Sequence, residues 1–76
     1  MYIWVVELFH PGNDQNLGTY VYTANDVDGL FDKVFDQVYG EGWECPTIKI
    51  ISQQPYDHKT FFALKKYHYD KRMEDK

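Results

Sequence analysis

Apolar side chains recur at Val27, Leu30, Phe31, Val34, Phe35 and Val38. This i, i+3, i+4, i+7, i+8, i+11 spacing makes one wide apolar face of an α-helix. A helix is predicted over Asn25 to Gly40, with Asp26, Asp28, Asp32, Lys33, Asp36 and Gln37 on its other side. Thr23 or Asn25 can serve as N-cap, each with an aspartate three residues on near the helix's positive end. Gly40 and Gly42 close it, because glycine adopts the left-handed conformation of a C-cap.

The flanking pattern changes period. Tyr2 to Phe9 alternates as a strand, with Tyr2, Trp4, Val6 and Leu8 on one face and Ile3, Val5, Glu7 and Phe9 on the other. Glu7 interrupts the odd set, so the even set is assigned to the helix. Apolar residues on both faces predict a central strand, or a second face covered by a partner. His10 to Gly18 is dense in turn residues, and Thr19 to Thr23 alternates as a second strand.

Beyond the helix, Trp43 to Pro46 is a connector, Thr47 to Ser52 a third strand and Gln54 to His58 a turn. Thr60 to Tyr69 is assigned as a fourth strand; a helix over 60–73 is the poorer alternative, because Phe61, Phe62, Leu64, Tyr67 and Tyr69 make no clean helical stripe. The expected fold is a single α+β domain of order β-β-α-β-β: a four-stranded antiparallel sheet with one amphipathic helix packed on one face. The folded core is placed at 1–69, with 70–76 a frayed tail. The outer sheet face would then expose Ile3, Val5, Phe9, Ile51 and several tyrosines.

Length and cysteine content narrow the picture. Seventy-six residues form one modest core with a net stability on the order of 3–5 kcal/mol. Cys45 is the single cysteine, so packing rather than disulfides must hold the fold, as suits a reducing compartment. The N-terminal apolar run is shorter than a bilayer span of about 20 residues and carries no basic leader. The expected location is the cytoplasm of a bacterial host.

The formal charge of −4 argues against general affinity for phosphates. Its distribution says more. Residues 26–44 carry six acids against Lys33 alone, a local −5, whereas residues 57–76 carry six bases against four acids, a local +2.

Candidate chemistry is sparse. No serine, cysteine or lysine lies in a nucleophile motif and no glycine-rich phosphate loop is present, so no catalytic residue is assigned and the chain is expected not to be an enzyme. His10, His58, His68 and Cys45 match none of the close spacings of metal ligands. No metal or cofactor is expected.

Two surfaces remain. Asp28, Asp32 and Asp36 stand at i, i+4 and i+8, where like charges repel by a few tenths of a kcal/mol per pair. With Glu41 they form an acidic face suited to a partner groove lined by Lys and Arg; the bland reading is a solvated face. In the C-terminal stretch Lys65, Lys66, Tyr67, Tyr69 and Arg72 interleave rings with cations, as proteins that hold single-stranded nucleic acid do. Its bland reading is a lysine-guarded edge strand.

In size, in its expected sheet with one helix, in the stripe Asp28/Asp32/Asp36 and in its tyrosine-rich surfaces, the chain resembles the anti-CRISPR proteins of phages and mobile elements. That group has no shared motif, so no functional residue carries over. The resemblance implies stoichiometric inhibition of a host immune protein or ribonucleoprotein complex through a basic surface. The alternatives are a single-stranded RNA- or DNA-binding protein, and a homodimer or larger homo-oligomer built on the apolar sheet face. No membrane partner is expected.

Overall fold

Strand β1 (Tyr2–Phe9) runs between β2 (Asn16–Ala24) and β3 (Thr47–Pro55), antiparallel to both, in the order β2-β1-β3. Among the described residues two helices complete the fold, α1 (Val27–Gly40) between β2 and β3, and α2 (His58–Glu74) after β3. These elements come from a computed structural model describing residues 1–12, 15–40 and 46–74. Glu41 and Cys45, with the rest of the 41–45 connector, lie outside the described residues.

The two sides of β1 are buried by different helices. Trp4, Val6 and Leu8 pack with Ala24 and with Leu30, Val34 and Val38 of α1, the last three fully buried. Each such apolar side chain stabilises the fold by about 1.5–3 kcal/mol. The Trp4 indole N–H donates to the Ala24 carbonyl at 3.1 Å, which satisfies its one polar atom inside the core. Ile3, Val5 and Val21 form a second cluster, on which Phe61 and Leu64 of α2 pack.

Helix α1 follows the periodicity, but its N-cap is Asp26. The Asp26 side chain accepts from the Gly29 N–H at 2.8 Å, and its carbonyl accepts the first helical bond from Leu30 at 3.0 Å. Neither Thr23 nor Asn25 fills that position. A Cβ at residue 29 would stand 3.2 Å from this carboxylate oxygen, so Gly29 leaves room for the cap.

The expected four-stranded sheet with one helix is wrong: the sheet has three strands, and Thr60–Tyr69 lies within α2. Asp57 caps this helix, accepting from the Thr60 N–H at 2.9 Å and the Thr60 hydroxyl at 2.8 Å, while Phe61 N–H donates to the Asp57 carbonyl at 2.8 Å. The Thr60 backbone bond, then its hydroxyl, hold the Asp57 carboxyl below its ordinary 3.8. Ala63, Leu64, Lys65, Lys66, Lys71, Arg72 and Met73 are all strong helix formers. The aromatic residues suggested a strand because the half-buried stripe Phe61, Leu64, His68, Arg72 turns polar halfway along. The helix also continues through residues 70–74, where a frayed tail was expected.

The same correction removes the bare outer face, since α2 covers Ile3 and Val5. Ile51 is exposed as expected and Ile50 beside it on β3 is too, each more than 40%, and α2 exposes Phe62, Tyr67 and Tyr69. Val5 pairs with Ser52 and Val6 with Ile50, leaving Ile51 as the extra residue of a β-bulge. No helix among the described residues is long and apolar enough to cross a membrane.

Candidate functional site

The outer face of α1 carries Asp28, Asp32 and Asp36, all exposed. A rise of 1.5 Å per residue separates successive carboxylates by about 6 Å along the helix. Lys33, the one base of α1, points its ammonium back to β2, donating to the Thr23 carbonyl and, at 3.0 Å, to the Thr23 hydroxyl. Glu41, the fourth predicted member of this face, lies outside the described residues.

The basic and aromatic residues sit on the other side of the sheet. Lys65, Lys66, Tyr67, Tyr69 and Arg72 belong to α2 rather than to an edge strand. Helical spacing sets Lys65 over the Phe61 ring, 5.3 Å from its centroid, and Lys71 over Tyr67 at 5.6 Å. Lys66, Tyr67 and Tyr69 are exposed, and Arg72 is half-buried.

Arg72 joins α2 to the edge of the sheet. Its guanidinium lies 4.1 Å from the centroid of Tyr20 and 5.8 Å from that of Tyr69, and it donates to the Thr19 backbone carbonyl. Gly18 makes the approach feasible. Its φ of 117° is strained for any residue with a Cβ, and a Cβ there would fall 2.7 Å from Cδ of Arg72. The Asn16 side chain fixes the turn by accepting the Gly18 N–H at 2.7 Å.

Together these contacts frame an open groove of about 1010 Å³ along the edge of β2. Tyr20 and Tyr22 line its floor, stacked with centroids 6.4 Å apart. Gln37 of α1, which accepts from the Tyr22 hydroxyl, forms one wall. Lys65, His68, Tyr69, Lys71, Arg72 and Met73 of α2 form the other. His68 is pushed below the usual 6.5, first by burial and then by the neighbouring Arg72 charge, which favours its neutral ring.

The predicted site residues thus fall on two opposite surfaces, and the structure does not bring them into one. Gly18, Thr19, Tyr20, Tyr22, Gln37, His68 and Lys71 were not among the sequence candidates, because the groove joins segments about fifty positions apart. A helical assignment of 58–74, available from the Asp57-x-x-Thr60 cap, would have placed Lys65, His68, Tyr69 and Arg72 on neighbouring turns.

Among the described residues, no three His, Cys, Asp or Glu side chains converge on a common point suited to a metal. His10 serves a turn, its Nδ1 accepting the Gly12 N–H at 3.0 Å, and His58 packs edge-on against Phe62 at 4.8 Å. Comparison with family models, curated proteins and solved structures finds no match for the chain.

Proposed function

We propose that this protein is a small non-catalytic binding module whose α1 face docks on a basic protein surface. One observation carries the reading: Asp28, Asp32 and Asp36 stand exposed in a single row while Lys33, the one base of the helix, is turned to Thr23. A row of carboxylates about 6 Å apart presents charge as a strand of phosphates does, and so complements a channel that holds nucleic acid. In its most concrete form the module is an inhibitor of a host immune ribonucleoprotein, as the resemblance to anti-CRISPR proteins in size, acidic stripe and tyrosine-rich surface implies; the one-helix architecture no longer supports that resemblance. Such a complex offers both a basic protein surface and a nucleic acid.

The test is affinity purification from a bacterial lysate with the native protein and with Asp28→Lys/Asp32→Lys/Asp36→Lys. All three positions are exposed, so the circular dichroism spectrum is expected to be unchanged. The native protein should retain a partner with a basic surface that the variant loses. Equal recovery by both would reduce the stripe to a solvated face.

A further inference from the structure

We propose that the groove between α2 and the edge of β2 binds single-stranded nucleic acid, with phosphates on Lys65, Lys71 and Arg72 and a base stacked on Tyr69. This inference rests on residues of α2 and β2 rather than on the acidic stripe, and Gln37 of α1 borders the groove on its other side.

Charge comes first. Lys65, Lys71 and Arg72 line the groove, and no carboxylate is among the described residues lining it. Asp70 stands between the lining residues Tyr69 and Lys71 on α2, and Glu7 accepts from the Asn16 side chain at 3.4 Å at one end. On the α1 side, Asp36 adjoins Gln37, which lines the groove, so one acid of the stripe lies near that wall.

Ring geometry and shape come next. Tyr69 is half-exposed, with Arg72 at 5.8 Å from its centroid, so an incoming base would meet a π-surface beside a cation. The Arg72 guanidinium has five N–H donors, and the Thr19 carbonyl takes one. The groove is open along the strand rather than closed around a small ligand, which suits a polymer crossing it. An extended peptide adding to β2 is disfavoured, because Arg72 already occupies the Thr19 carbonyl that such a strand would need.

The test uses fluorescence anisotropy with fluorescein-labelled single-stranded dT12 and rU12, at low salt and across a salt series. Binding is expected at low salt, with each of Lys65→Ala and Lys71→Ala lowering the salt slope by about 0.7. Tyr69→Ala should weaken binding roughly 5- to 150-fold, the range for loss of one stacked base. These three side chains are exposed, so the variants are expected to keep the native fold, and circular dichroism checks it. Arg72→Ala is avoided because it removes an anchor of α2. The inference is overturned if neither oligonucleotide binds, if Tyr69→Ala binds unchanged, or if a twelve-residue polyglutamate peptide competes equally well. The last result would make the groove a site for acidic peptides.

Discussion

Helices α1 and α2 lie on opposite faces of the same three strands, yet different chemistry holds each in place. Helix α1 docks through Leu30, Val34 and Val38, all with no exposed surface, and its polar contacts sit at its rim. Helix α2 docks through half-buried Phe61 and Leu64 for its first two turns, then through His68 and Arg72. One contact is non-directional and scales with buried area. The other depends on a guanidinium meeting one carbonyl and one ring. The apolar contact supplies stability, and the polar contact supplies position, fixing the wall of a groove that area alone would not define.

The contrast is sharpest in core truncations. Leu30→Ala should destabilise the fold by about 2–5 kcal/mol, close to the whole stability expected of a domain this size. Leu64→Ala, at a half-buried site, should give about half that or less. Urea denaturation checks both, and equal losses would dissolve the distinction between the helices.

Gly18→Ala probes the polar contact. The positive φ and the close approach of Arg72 together should cost about 1–3 kcal/mol. In an Arg72→Ala background the steric part vanishes and only the backbone part remains. A double-mutant cycle reads this coupling, and a loss identical in both backgrounds would show that Arg72 does not pack there.

The smallest expected effect is a pH dependence carried by His68. Its pKa is depressed in the fold by burial and then by Arg72, so the folded state favours the neutral ring. The associated stability is fully present above about 6.5, the ordinary value, and is lost as pH falls below it. Relative to His68→Gln, the native protein should lose more stability between pH 7 and pH 5. Parallel curves would remove His68 from the contact.

The same division explains what was legible in the sequence. The apolar rows Val27–Val38 and Tyr2–Phe9 announce themselves by period, and the structure places a helix and the central strand there. The stripe of α2 mixes Phe61 and Leu64 with His68 and Arg72, so hydrophobic period alone assigns it wrongly, and aromatic content pulled it toward strand. The acidic face was visible because a single helix carries it. The groove was not, because Thr19 and Arg72 meet across 53 positions and neither residue signals the other. Local capping at Asp57 was the one sequence feature that could have settled the element and brought the groove within reach.

If both proposals hold, the sheet separates two opposite recognition tasks. The α1 side would address a basic protein and the α2 side the nucleic acid such a protein holds.

The bulge at Ile51 bears on a different matter, how far the sheet can grow. At one border the Arg72 guanidinium occupies the Thr19 carbonyl of β2. At the other, β3 has Lys49, the kink at Ile51 and Pro55 along a single strand. A charge, an irregular ladder and a residue without an N–H each discourage strand addition. The exposed Ile50 and Ile51 would otherwise make this border a template for fibrous assembly. One surplus residue in the ladder thus makes this border a poorer template for strand addition.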